Sequence, residues 1–177
     1  PSASFGPLHG LLDSDWVVGD LGAGTGAFSE MVAPFVRRVI GIDRSAEMLA
    51  AARLRLEAAD NVELRQGNLE LLPIADGELN LAVLGLVLHY VVDPALVLNE
   101  VHRALRPGGR VIVVDMRAHE RGHGYAEDMG HVWPGFELSQ VAQWLADAGF
   151  DAARTQPLRP EASASGPLLF LASAERS

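Results

Sequence analysis

Two groups of residues in this chain have the types and spacing that chemistry needs: a glycine turn flanked by acids, and a scatter of histidines. The first is Asp20-Leu21-Gly22-Ala23-Gly24-Thr25-Gly26, which closes an apolar run and opens directly into helical spacing. Glycines there let the backbone turn tightly and approach a ligand, while the helix N-terminus offers N–H donors. Taken alone, the pair Gly22 and Gly24 reads equally well as a plain strand-to-helix turn. Asp43 sharpens it, because an acid at the tip of the next strand, roughly twenty residues on, is placed to accept hydrogen bonds from both hydroxyls of a ribose. The competing reading makes Asp43 a cap for the helix that starts near Ser45, although Ser45 is itself a good cap.

Gly22, Gly24 and Ala27 also satisfy the dinucleotide fingerprint, so NAD must be weighed. Asp20 counts against it: a carboxylate aimed into the turn clashes with a pyrophosphate and suits an ammonium group. The sequence also contains no lysine, and so no Tyr-x-x-x-Lys pair.

Among the histidines, His89 stands at the end of Gly85-Leu86-Val87-Leu88-His89-Tyr90, where an imidazole could take a proton near neutrality or merely begin a helical turn. His119-Glu120-Arg121-Gly122-His123 is a literal zinc-protease motif. That motif works on a helix, yet here it follows a strand, with Gly122 inside, Gly124 just after, and Met129 where a third ligand would fall. No metal site is expected from it. The stretch 117–136 instead gathers His119, His123, His131, Tyr125, Trp133, Phe136, Glu127, Asp128 and Met129. It reads either as a recognition segment, with His119, His123, Tyr125 and Trp133 as candidate substrate contacts, or as a solvated surface loop.

The elements that must position these residues alternate. Apolar runs at 16–18, 39–42, 62–64, 79–88, 110–114, 152–158 and 168–171 read as strands; 27–35, 46–59, 94–105 and 138–148 carry helical spacing. Strands without a polar face, separated by helices, predict a three-layer α/β fold with a mostly parallel sheet and antiparallel pairing at one edge. One domain over 1–177 is expected. Because the chain opens at Pro1 without Met or a signal-peptide pattern, it is read as lacking an N-terminal part of a longer chain.

Composition narrows the function class. The 177 residues hold 14 basic and 23 acidic side chains, a formal charge of −9, and are 49% apolar. No basic cluster stands out, so direct nucleic-acid contact is not expected. The apolar stretch 81–88 is far short of the ~18 residues that cross a bilayer, and a cytoplasmic location is expected. Cysteine is absent, which removes disulfides, thiolate metal sites and thiol capture of a soft metalloid such as arsenite.

In their order and spacing, the turn at Gly22, Gly24 and Gly26, the stretch Gly41-Ile42-Asp43-Arg44-Ser45-Ala46-Glu47-Met48-Leu49 and the turn Leu105-Arg106-Pro107-Gly108-Gly109 resemble the class I S-adenosylmethionine-dependent methyltransferases. The resemblance covers about residues 15 to 116 and is strongest to the small-molecule branch related to quinone-biosynthesis methyltransferases. The stretch Gly130-His131-Val132-Trp133-Pro134-Gly135-Phe136 is similar to methyltransferase domains that follow an ArsR-type DNA-binding domain.

The resemblance implies a Rossmann-like fold, S-adenosylmethionine as cofactor, and methyl transfer to a small-molecule acceptor. The alternative is a regulatory module that senses S-adenosylmethionine or S-adenosylhomocysteine for an attached DNA-binding domain. It places the backbone of Gly22, Ala23, Gly24 and Gly26, with Asp20, at the methionyl part, Asp43 and Arg44 at the ribose, and Met48 beside the adenine. Leu86 joins this cofactor set. Asn68 and Leu69 occupy the place where the family usually has an acid that accepts from the adenine amino group; Asn68 retains a carbonyl acceptor there, or simply favours a turn. Asn80 stands where relatives often carry an acid entering the fourth strand. His89 is the candidate base, although many methyl transfers need none, since alignment supplies much of the barrier reduction.

Overall fold

The computed structural model describes residues 11–118, 130–159 and 166–177. Seven strands form one sheet, β1 (Val17–Leu21), β2 (Arg38–Asp43), β3 (Val62–Gln66), β4 (Leu79–Gly85), β5 (Leu105–Met116), β6 (Phe150–Pro157) and β7 (Leu169–Arg176), in the order β3-β2-β1-β4-β5-β7-β6. The first five run parallel, and β7 lies antiparallel between β5 and β6. Four helices connect them: α1 (Ala27–Val32), α2 (Ala46–Arg55), α3 (Pro94–Ala104) and α4 (Leu138–Asp147).

Period-2 alternation explains the layers. Val18, Val39, Leu81 and Val83 point to the α1 side and bury against Val32, Ala33 and Val36. Val17, Ile40, Ala82 and Leu84 point to the other side and meet Val97, Leu98 and Val101 of α3 and Val141 and Leu145 of α4. Strands buried on both faces have no polar stripe, which is why their sequences read as continuous apolar runs.

Local chemistry sets the boundaries. Ser45 caps α2 by accepting the Met48 N–H at 3.2 Å, and Asp93 caps α3 by accepting the Leu96 N–H at 3.0 Å, with Pro94 in the first turn. Two expected elements are shorter than their apolar runs. The helix read over 27–35 stops at Val32, since Pro34 forces a 3₁₀ turn over Ala33–Phe35. The strand read over 79–88 stops at Gly85, where Leu86 turns into the left-handed region at φ 55 and a 3₁₀ turn over Leu88–Tyr90 follows. Asn80 takes over the task of an acid at that place: its Oδ1 accepts the Val17 N–H at 2.9 Å and so ties the head of β1 to β4.

Candidate functional site

Strand order reverses between β1 and β4, and the carboxyl ends of these strands leave the crevice where α/β sheets bind ligands. A cavity of about 390 Å³ opens there. Its floor is the glycine turn. Gly22 and Ala23 both donate N–H bonds of 2.8 Å to the Ile42 carbonyl, which staples the turn to the end of β2. Gly22 stands at φ 85, and a Cβ on it would lie 2.5 Å from Val87, so no other residue fits. Gly24 is also left-handed, at φ 52, and a Cβ there would meet nothing within 4 Å: the space above it belongs to the cavity.

Asp43 forms the opposite wall. Its Oδ2 accepts the Gly24 N–H at 2.8 Å, and its Oδ1 accepts the Ser45 N–H at 2.9 Å. Each carboxylate oxygen keeps a further lone pair toward the cavity, as a pair of ribose hydroxyls requires. Capping of α2 falls to Ser45 rather than Asp43. Arg44, Met48, Asn68 and Leu69 continue this wall, and Leu86, Val87, Tyr90 and Val91 close the side toward β5. Asn68 sits in a turn closed by the Leu71 N–H on its carbonyl at 3.3 Å, while its side chain faces the cavity, so the turn and the ligand-facing readings hold together. A wider depression of about 650 Å³ between 11–16 and 34–36 lies at the amino end of β1, with only Asp13 and Ser14 as polar side chains. Size favours it; the convergence of glycine turn and carboxylate favours the smaller cavity.

Beyond Tyr90 lies a buried polar cluster. His89 is 3% exposed, and its Nδ1 stands 2.7 Å from Oδ1 of Asp115, which is fully buried at the end of β5. The His89 ring packs on Tyr90 at 4.1 Å and meets the edge of His131 at 4.5 Å. Burial, and then the neighbouring His89, lower the pKa of His131; Asp115 opposes them weakly.

A family model described as Methyltransferase domain matches residues 19–113. The chain belongs to this family. It is 41% identical over 102 residues to demethylmenaquinone methyltransferase of Lactococcus lactis subsp. lactis, a match covering 54% of this chain and 40% of that protein. It is 36% identical over 151 residues to arsenite methyltransferase of Halobacterium salinarum, covering 78% and 38%. These matched regions amount to about two fifths of either relative's length. An S-adenosylmethionine-dependent methyltransferase structure from Mesorhizobium loti superposes with a TM-score of 0.79 at 23% identity, covering 99% of this chain and 98% of that one. The chain is thus a class I methyltransferase domain of the quinone-biosynthesis-like branch with S-adenosylmethionine as its cofactor, and the sheet is the Rossmann-like sheet expected.

Within the methyltransferase domain, Gly22, Gly24, Asp43, Arg44, Met48, Asn68, Leu69 and Leu86 meet around one cavity. Asp20, Ala23 and Gly26 stand behind it. Asp20 is 5% exposed and turned to α1, where its Oδ2 accepts the Ser29 hydroxyl at 2.6 Å and the Ser29 N–H at 3.2 Å. Burial raises its pKa, opposed by the two Ser29 bonds. Gly26, at φ 79, lies against Leu56 and Ala52 of the α2 region and starts α1.

Trp133 is packed with the core. Its ring lies 5.7 Å from Phe136 and 5.8 Å from Trp144, and its Nε1 donates to the Val91 carbonyl at 3.0 Å. His119, His123 and Tyr125 lie outside the described residues, as does the whole of the stretch from His119 to His123. Among the described residues no group of three His, Asp or Glu side chains could hold a metal, and no helix is long and apolar enough to cross a membrane. Sequence reading passed over Asp115, whose one signal is a single acid ending the apolar run Val111-Ile112-Val113-Val114.

Proposed function

We propose that this domain transfers the methyl group of S-adenosylmethionine to a small-molecule acceptor that enters from the β5 side of the cavity. The observation that carries it is the pairing of an open glycine turn with the Asp43 carboxylate across one cavity, at the strand-order reversal. When bound, the cofactor supplies a methyl group already activated on a sulfonium. Gly22 and Gly24 give its methionyl part close backbone approach; Asp43 accepts from the ribose, and Met48, Asn68 and Leu69 face the adenine. The apolar wall of Leu86, Val87 and Val91 excludes water from the transfer, and Tyr90 borders the acceptor's approach. Bringing acceptor and methyl into line is the larger part of the catalysis such a site provides.

Arsenite is a poor fit as acceptor, because these 177 residues contain no cysteine to hold it. The regulatory alternative has no support in the relatives, whose names are those of methyltransferases. Calorimetry with S-adenosylhomocysteine and with NADH tests the reading. The expected result is saturable binding of the former and weak or no binding of the latter; tight NADH binding without a response to S-adenosylhomocysteine would overturn it.

A further inference from the structure

We propose that Asp115 holds the proton of His89 on Nδ1, so that Nε2 is the base that unloads an acidic hydroxyl acceptor; this rests on the methyltransferase reading above. A fully buried carboxylate at the end of a core strand needs partners. Asp115 has three, all donors: the Leu88 N–H on Oδ2 at 2.9 Å, the Met116 N–H on Oδ1 at 2.7 Å, and His89 Nδ1 on Oδ1 at 2.7 Å. The carboxylate accepts from each, so the imidazole proton sits on Nδ1 and the lone pair on Nε2, at the far side of the ring. A cap for the turn over Leu88–Tyr90 needs only the Leu88 bond. The imidazole bond adds an orienting contact that a cap does not require.

The ring is held from other sides as well. Val132 and Trp133 donate N–H bonds of 2.9 and 3.1 Å to the His89 carbonyl, which roofs it with the 130–136 segment. Tyr90, stacked on the ring, is shared with the wall of the cofactor cavity. The titratable groups facing His89 are Asp115 from β5, Tyr90 from its own turn and His131 from the roof. Burial favours the neutral form of His131, which keeps a second positive charge away from the base.

That arrangement selects an acceptor chemistry. An amine attacks through a lone pair it already has, and a thiol with a pKa of about 8.5 ionises to a useful extent unaided. A phenolic or enolic hydroxyl, at about 10, is within reach of an imidazole and gains from it; an alkyl hydroxyl is far too weak an acid. The apolar side chains of Leu86, Val87 and Val91 beside Tyr90 suit a flat ring. In the step, the hydroxyl proton passes to Nε2, the oxygen pair forms the bond to the methyl carbon, and the methyl–sulfur pair returns to sulfur. The proton then leaves the imidazolium for solvent.

The test uses the 177-residue chain with S-adenosylhomocysteine, and 4-nitrophenol as a hydroxyl probe whose ionisation is visible. His89 should show a protonated Nδ1 and an unprotonated Nε2 by ¹⁵N NMR, and bound 4-nitrophenol should ionise with an acid constant about tenfold above that of the free probe. Asp115→Asn should place the proton on Nε2, because its amide donates to Nδ1, and should abolish the probe's shift. Should Asp115→Asn fail to fold, His89→Gln leaves both backbone bonds of Asp115 in place and must abolish the shift by itself. No binding of S-adenosylhomocysteine would defeat the parent reading. With S-adenosylhomocysteine bound, a proton on Nε2 of the unsubstituted protein, no binding of 4-nitrophenol, or a shift retained in His89→Gln would overturn this inference alone.

Discussion

At the scale of single residues, Asp43 and Leu86 separate holding the fold from holding a ligand. Asp43→Ala removes an acceptor that serves Gly24 and Ser45 as well as the cavity, and should weaken S-adenosylhomocysteine binding by about 1.5–3 kcal/mol, some ten- to a hundredfold by calorimetry. Full affinity in a folded variant would remove Asp43 from the site. Leu86 makes the opposite case: a leucine at φ 55 costs about 1–2 kcal/mol that a glycine would not, while its side chain is 47% exposed on the cavity wall. Leu86→Gly should therefore raise stability to urea by about 1 kcal/mol and weaken S-adenosylhomocysteine binding severalfold; a loss of both would make Leu86 an ordinary packing residue. The residues that the sequence revealed are those whose type is improbable elsewhere, such as left-handed glycines and an acid at a strand tip. Asp20 and Trp133 misled for a common reason. Their chemistry suits a ligand, but Ser29 and the Phe136–Trp144 cluster satisfy it within the fold. Asp115 escaped notice because its meaning depends on His89, a partner from another strand.

Elements were legible wherever period and apolar content agreed, and they slipped at their ends. All seven strands and four helices were readable because each is a run of one pattern, yet β4 ends early because backbone geometry at Leu86, not hydrophobicity, stops it. The placement of β7 between β5 and β6 depends on side-chain fit across the sheet, which a linear pattern does not contain. The 130–136 segment is the element that joins fold to site, and Gly135 is its pivot. At φ 117 its Cβ would stand 2.4 Å from the Arg117 carbonyl oxygen, a backbone atom with little freedom to move. Gly135→Ala should lower stability by about 2–4 kcal/mol, whereas Gly108→Ala, left-handed at φ 77 with open space around it, should cost only about 1 kcal/mol. Urea unfolding of the two variants checks the difference. Equal losses would mean that the close approach to Arg117 is relieved by a small shift.

For the molecule as a whole, acidic side chains decide how stability follows pH. Glu78 accepts from Arg65 and Arg38 and from the Ala75 N–H, which fastens the crossover before β4 to the far edge of the sheet. Burial pushes its pKa up, but those three donors outweigh it and hold the carboxyl below the usual range. Glu100 on α3 is lowered first by Arg103, against burial and with help from the Leu72 N–H, and so fastens the same crossover to the helix. A carboxyl whose folded pKa is depressed contributes stability above its unfolded pKa, about 4.3 for Glu, and loses it as pH falls through the folded value. Asp20 has the reverse sign. Its raised pKa makes the charged form a burden at neutral pH, a burden that lifts on acidification. Two depressed carboxyls against one raised predict a net loss below about pH 4.5, on the order of 2 kcal/mol from the Glu78 and Glu100 networks. Urea midpoints measured from pH 7 down to about 3 should fall over that range. Glu78→Gln should start lower at pH 7 and fall less steeply, and Asp20→Asn should start level or higher and fall more steeply, because it has no charge left to neutralise. Parallel curves for all three proteins would mean that these carboxyls titrate alike in the folded and unfolded chain, and that acid acts through the remaining exposed charges.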